Sequence, residues 1–318
     1  MVESKHQWKA WLYLAPAIIL LLIFTVWPII NTVGIAFLED YDLSAATGGA
    51  TFEVGIGNFV EILQFQQFLT CLKNTVLLCV LTVPISTIIA LLIAVCLNSI
   101  KPLNRTLQTI YFLPYVTNSI AIGMVFYQMF NIINIGALTD TNPLNDHTVV
   151  YGIIDQFLAW LKIEPINWIN TGSTYGANLA TMVIYIVWNA LPFKILILLG
   201  GLQSVNKQYY DAAKIDGTSK ARTLWRITVP LLSPMLAYVI ITGFIGGFKE
   251  YTSVVGIFGE INMGPPSNPG SMNTMVGLIY ELIDGKQGKA AAGALILFVL
   301  IFIVTLINLY VSKKKVHY

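Results

Sequence analysis

The sequence predicts an all-α polytopic membrane protein with six transmembrane helices. Three observations carry that prediction. The 318 residues are 56% hydrophobic and only 11% charged, against about 25% charged in an ordinary soluble domain. The apolar residues gather into six runs, near 11–33, 76–97, 107–130, 179–199, 231–251 and 290–311. Each is about the 20 residues that a helix needs to cross the hydrocarbon core. Finally, the charges segregate: twelve of the 18 Lys and Arg fall in one set of connections, five in the opposite set, and Lys194 inside the fourth run. Buried helices of a soluble protein would show polar faces, which these runs lack.

The first run follows Lys5 and Lys9 at the end of a tail over 1–10. It is too long for the apolar core of a cleavable signal, and no small-x-small site follows it, so a retained anchor is expected. Cys71, Cys79 and Cys96 lie in or beside the second run without metal-site spacing, and they read as small buried apolar residues. The connection from Asn131 to Asn178 is too long for a simple turn. Within it, "VVYGIIDQFLAWLK" puts Val150, Ile153, Ile154, Phe157, Leu158 and Leu161 on one helical face. That stripe (149–162) fits a helix on the membrane surface or a contact for an external partner.

The fourth run carries Tyr185, Trp188 and Asn189, is interrupted at Pro192, and holds Lys194 near its end. Lys194 is expected to snorkel to the interface. The fifth run is the least clean, with Lys249 and Glu250 at its end, and its Gly243-x-x-x-Gly247 predicts close helix packing. The glycine- and proline-rich "GEINMGPPSNPG" follows as a loop. The sixth run closes a single membrane domain over 11–311, and a basic tail occupies 312–318. The excess of Lys and Arg marks both termini, and the connection between spans 4 and 5, as cytoplasmic.

That connection is unlike the rest of the chain. "DAAKIDGTSKARTLWRITVP", from Asp211 to Pro230, crowds charges around Gly217. Forcing it into lipid costs about 3 kcal/mol per charge, so it sits in water or against protein. Asn206 or Ser204 can cap a first short helix, and Gly217 suits the left-handed position that ends it. Thr218 or Ser219 can cap a second helix, and Pro230 marks its junction with the fifth span. Ala212, Ala213, Ile215, Leu224, Trp225 and Ile227 offer a surface that a solvated tether has no use for. They point to docking of a soluble partner, with a hairpin lying on the headgroups as the alternative.

"DAAKIDGTSKARTLWRITVPLL" resembles the cytoplasmic EAA loop of binding-protein-dependent ABC importer permeases: an acid, two alanines, three residues, a glycine, then Ile-x-x-Pro after an aromatic residue. Asp211 stands where the family usually has Glu; Ala212, Ala213, Asp216, Gly217, Ile227 and Pro230 match directly. "WLYLAPAIILLLIFTVWPII", and "NTMVGLIYELI" with "GKAAAGALILFVLIFIVTLINLYV", resemble the first and last spans of the carbohydrate branch. The resemblance is to the type of the larger maltose-transporter permease, in a six-span form without that subunit's extra N-terminal helices and external domain.

The resemblance implies a permease that forms the path for a carbohydrate, an oligosaccharide by its branch, in a bacterial cell membrane. The segment over about 204–230 would be a pair of coupling helices, with Asp211 contacting the ATPase and Gly217 setting the angle. No G-x-x-x-x-G-K-[ST] is present, and "DGKQGKAAAG" has the wrong spacing, so ATP and Mg are expected on a separate ATPase. The implied partners are two copies of that ATPase, a second homologous permease, membrane lipid, and a lipid-anchored or periplasmic sugar-binding protein. No metal, nucleic acid or catalytic role is expected. His6, His147 and His317 fall in a tail, a loop and a tail, with no nucleophile arrangement.

Substrate-path candidates combine aromatic faces with hydroxyl-binding groups: Tyr185, Trp188 and Asn189, then Phe244, Phe248, Lys249, Glu250 and Tyr251. Lys249 and Glu250 either face the cavity or sit at the outer boundary. Gly246 and Gly247 replace bulkier residues of the maltose type, which means a wider pocket or a smaller share in binding. Within the same class, glycerol phosphate, a polyamine or an amino acid is the competing cargo. Phosphate recognition would favour a cavity arginine, and Arg105, Arg222 and Arg226 are all on the cytoplasmic side. A self-sufficient secondary transporter or channel would show internal repeats and leaves the charged block unexplained.

Overall fold

The computed structural model describes residues 7–99, 109–110, 113, 115–134 and 149–315. Lys5, His6, Lys101, Arg105, His147 and His317 lie outside the described residues, as do the ends of both tails. In chain order the helices are α1 (Trp8–Ala36), α2 (Leu43–Thr47), α3 (Gly57–Gln64), α4 (Phe68–Ser99), α5 (Ser119–Phe130), α6 (Ile153–Trp160) and α7 (Tyr175–Ser204). They continue with α8 (Lys207–Ile215), α9 (Lys220–Leu231), α10 (Ser233–Phe248), α11 (Thr252–Phe258), α12 (Met275–Ile283) and α13 (Gln287–Lys315).

Helices α1, α4, α7 and α13 are long and apolar enough to cross a bilayer. The fifth apolar run appears as α10, which meets the preceding α9 at a bend of 71°. Residues 107, 108, 111, 112 and 114 of the third run lie outside the described residues; its later part is the 12-residue α5, whose start is set by Asn118 accepting from the N–H groups of Ile120 and Ala121. Pro192 does not interrupt the fourth run: α7 passes through it as one helix of 30 residues.

Two prolines are accommodated by the same device. The turn Leu22–Val26 and the turn Leu224–Thr228 are both π-helical, and each ends two residues before a proline, Pro28 and Pro230. The N–H of Trp27 reaches Leu22 O, and that of Val229 reaches Leu224 O. A widened turn thus bridges the place where the proline supplies no backbone donor.

The chain falls into two compact units, one of residues 1–68 and 278–299, the other of 69–277 and 300–318. In the first, the Asn58 amide donates to Ala36 O and Leu38 O at 3.2 and 2.7 Å. Glu61 pairs there with Lys289.

In the second unit, Leu91 and Leu97 of α4 share a core with Ile195, Leu198 and Leu202 of α7 and Val239 of α10. A second core joins Phe126 and Phe130 of α5, Met182 and Tyr185 of α7, and Val254 and Ile257 of α11. Where α5 meets α11, a Cβ on Gly123 would lie 2.6 Å from Gly256 Cα. Only glycine permits that approach. The Gly243-x-x-x-Gly247 pair does pack closely, since a Cβ at Gly247 would meet Cys79 Sγ at 2.8 Å.

Two expectations need correction. Val149–Tyr151 is a strand paired antiparallel with Ile132–Asn134, so Val150 is not on the helix, which covers only Ile153–Trp160. That helix buries Asp155 while leaving Ile153, Phe157 and Trp160 exposed. The Asp155 carboxylate accepts from Ile166 N and Trp168 Nε1, both at 3.0 Å, which draws it inward. Cys71 and Cys79 are buried, but Cys96 faces outward.

Replacing Gly256 by Leu forces α5 and α11 apart and costs about 1–3 kcal/mol. A lower Tm of the detergent-solubilised protein is the expected result. Gly34→Leu, where a Cβ meets nothing, leaves the Tm unreduced.

Candidate functional site

A cavity of about 270 Å³ opens between α4, α7 and α10. Its polar groups are Thr82 and Ser86 from α4, Asn189 and Lys194 from α7, Thr242 from α10, and Glu250 just past the end of α10. Tyr115 and Phe193 add an aromatic wall, their rings stacked at 5.7 Å with 19° between planes.

Lys194 is the unexpected member. It does not snorkel: the residue is 4% exposed, and its ammonium donates to Ser86 Oγ at 2.7 Å, Thr87 Oγ1 at 3.0 Å and Val83 O at 3.1 Å. An ammonium has three N–H donors, and one turn of α4 supplies an acceptor for each. Those hydroxyls are aimed by their own bonds to α4 carbonyls, Ser86 to Thr82 O and Thr87 to Val83 O. Gly243 makes room for the group, because a Cβ there would come within 3.3 Å of Nζ. Gly246 also lines the cavity, and a Cβ there would touch nothing. The two glycines questioned in the sequence therefore differ: Gly246 keeps space open, whereas Gly247 lets α10 close on Cys79.

Of the sequence-chosen path residues, Asn189 and Glu250 line the cavity. Asn189 also donates to Ser119 Oγ at 3.5 Å, and Glu250 Oε1 accepts from Ser253 N at 3.1 Å. The others lie elsewhere. Tyr185 is enclosed in the core and donates to Ser119 O; Trp188 packs on Phe126 at 5.1 Å. Phe248 is buried, Lys249 is exposed, and Phe244 offers its carbonyl to Cys79 Sγ at 3.6 Å. Tyr251 donates to Glu260 Oε1 at 3.1 Å. Thr82, Ser86, Tyr115, Phe193 and Thr242 were not anticipated. The Ser and Thr residues at 82, 86 and 87 inside an apolar run were the available signal.

The charged block forms the helix–glycine–helix turn in atomic detail. Asn206 Oδ1 accepts from Gln208 N at 3.0 Å to start α8. Gly217 ends it at φ +64°, with Thr218 N on Ala213 O and Gly217 N on Lys214 O, the paired bonds of a Schellman cap. Ser219 Oγ then accepts from Arg222 N at 3.4 Å to start α9.

Asp211 and Lys214 approach to 3.8 Å on an exposed face. Ala212 and Asp216 are exposed, Ala213 is buried, and Ile227 and Pro230 are half-buried. Ile215 at 86% and Trp225 at 65% exposure stand free of the rest of the fold. An isolated exposed apolar residue is ordinary, but here two flank a single glycine-hinged turn.

Apolar helices around a polar cavity, with a charged, glycine-broken helix pair attached, define the class of membrane transport components. The model of the family described as "Binding-protein-dependent transport system inner membrane component" matches residues 82–317, and this chain belongs to that family. It is 31% identical over 304 residues to the arabinooligosaccharides transport system permease protein AraP of Halalkalibacterium halodurans, covering 94% of this chain and 86% of that one. It is 26% identical over 315 residues to the lactose transport system permease protein LacF of Rhizobium radiobacter, covering 99% and 97%. Its fold matches a chain of a bacterial alginate ABC transporter solved with an alginate pentasaccharide-bound periplasmic protein, with a TM-score of 0.75, 22% identity, and coverage of 99% and 98%.

The two glycines separate in experiment. A Cβ at Gly246 meets nothing, so Gly246→Phe is expected to change stability by less than about 0.5 kcal/mol, while a Thr242→Cys probe reacts more slowly with a small maleimide. Gly247→Phe collides with Cys79 and lowers the Tm.

Proposed function

We propose that this chain is one permease subunit of an ATP-driven importer and forms the path for a carbohydrate, an oligosaccharide, delivered by an external binding protein. In this reading the chain crosses the membrane six times. α10 contributes the fifth crossing, and the third apolar run, of which α5 is a described part, contributes another. Both termini lie in the cytoplasm, on the side where twelve of the 18 Lys and Arg gather.

The observation that carries the proposal is the Gly217 turn. Its two capped helices present Ile215 and Trp225 to solvent beside Asp211, Lys214 and Arg222. Apolar anchors within a charged rim are what a protein interface requires. The turn is assigned as the coupling element, docked on a cytoplasmic ATPase that binds ATP and Mg. Asp211 supplies a charge-assisted contact, and Gly217 fixes the angle between the helices. The full assembly comprises a second, homologous permease, two ATPase copies and a lipid-anchored or periplasmic sugar-binding protein.

Carbohydrate is supported by two things. The relatives include permeases for arabinooligosaccharides and lactose, and the cavity joins a stacked aromatic wall to hydroxyl-binding groups. A sugar ring offers an apolar face to the first and hydroxyls to the second. Glycerol phosphate is the competing cargo within the class, since a glycerol-3-phosphate permease is also similar, at 27% identity.

Reconstitution tests the machine. Sugar uptake by proteoliposomes is expected only when the chain is co-purified with its ATPase and partner permease and supplied with ATP. Uptake by the isolated chain along an ion gradient would sink the proposal. The coupling role has its own test in Gly217→Trp. A side chain at φ +64° costs about 1–2 kcal/mol, and its Cβ meets no neighbouring atom, so the chain is expected still to insert and fold. Loss of the ATPase on co-purification is the expected outcome; undiminished transport counts against the role.

A further inference from the structure

The cavity holds one cation and one carboxylate on different walls, and they do not pair. Among the described residues the ion pairs are Lys214–Asp211 and Lys289–Glu61; neither Lys194 nor Glu250 takes part. The three acceptors around Lys194 are all neutral, so its charge has no counter-charge within ion-pair distance. One of them, Val83 O, also accepts from Ser86 Oγ and Thr87 Oγ1. Val83 O is thus divided among three side-chain donors, and it is the acceptor that an anionic ligand oxygen would replace. Glu250 is placed differently: its Oε1 accepts one backbone N–H, that of Ser253, on the wall away from Lys194. The cavity therefore presents an ammonium and a carboxyl group on separate walls, neither facing an opposite charge within ion-pair distance, in a region where water screens charge poorly.

We propose that Lys194 is a specificity-determining residue and that the cavity takes an acidic saccharide, a sugar bearing a carboxylate or a phosphate ester. The anionic group lies toward the Lys194 ammonium, and sugar hydroxyls donate to the Glu250 carboxylate on the other wall. The Tyr115–Phe193 stack receives the ring face, and Gly246 leaves the width for it. A neutral sugar would use only Glu250 and the aromatic wall. A simple anion would use only Lys194. This inference rests on the carbohydrate-importer reading and narrows its cargo.

The test is ATP-driven uptake by proteoliposomes holding the complete importer. The probes are a neutral trisaccharide, an aldotriouronic acid, and glucose 6-phosphate, each offered at high concentration. Wild type is expected to move at least one of the two anionic probes. Lys194→Met should raise its KM about tenfold, the worth of one charge-assisted hydrogen bond, and Lys194→Arg should restore part of the loss. Because Lys194 also ties α7 to α4, a second variant leaves that tie intact: Thr242→Asp adds an anion to the cavity lining and should give the same selective loss.

The uronate and phosphate arms tell which anionic group is carried. Uptake of the neutral probe alone overturns the inference, as does an equal loss of neutral and anionic uptake in both variants. No ATP-driven uptake of any sugar would overturn the carbohydrate reading itself, and this inference with it.

Discussion

A charged group set among apolar helices has to be solvated by protein, and that constraint organises this fold around Lys194. Insertion of a lysine at the centre of a membrane helix costs about 3 kcal/mol. Here one turn of α4 supplies three oxygens in place of water. The bonds hold α7 against α4, and Gly243 lets α10 approach the same point. The space beside them stays open because Gly246 carries no side chain.

The same rule governs the ends of the helices. Asn74 near the start of α4 donates to Ser271 O and Asn273 O, both at 2.8 Å, and accepts from Tyr175 Oη at 2.7 Å. Thr75 accepts from Met275 N at 2.9 Å. The starts of three helices and one loop therefore share a polar knot at their rim. Asp155 plays a comparable part, holding the 166–168 segment against α6. Among the described residues, Asn74, Thr75 and Asp155 are buried polar groups that tie backbone which apolar packing alone would leave loose.

Sequence reading succeeded where local chemistry decides structure. The helix–glycine–helix turn was legible because Asn206, Gly217 and Ser219 each carry a cap within a few residues of its target. The long helices were legible from composition. The cavity was not, because its wall is assembled across three helices from residues unremarkable in their own segments. Asn189 and Glu250 stood out as polar; Thr82 and Ser86 looked like tolerated hydroxyls in an apolar run. Conspicuous aromatics misled for the opposite reason: Tyr185 and Phe248 satisfy themselves in the core. From sequence Lys194 reads as an interface residue, because its distance from the helix end is visible there and its acceptors on α4 are not. Asp155 escaped notice since an apolar stripe suggests which face is buried, and two hydrogen bonds reversed it.

The π-turns ahead of Pro28 and Pro230 alter how the helices around them relate. One extra residue in a turn advances the chain by about 100° around the helix axis. Residues before Leu224 and after Thr228 are therefore out of phase with an unbroken helix. The face that the Gly217 turn offers to a partner and the face that the following span offers to its neighbours can be set independently. A heptad-like pattern read straight through this junction would assign the wrong side to one of them. Deleting a single residue from the turn would rotate α8 and the start of α9 relative to α10 without changing the chemistry of any side chain on them.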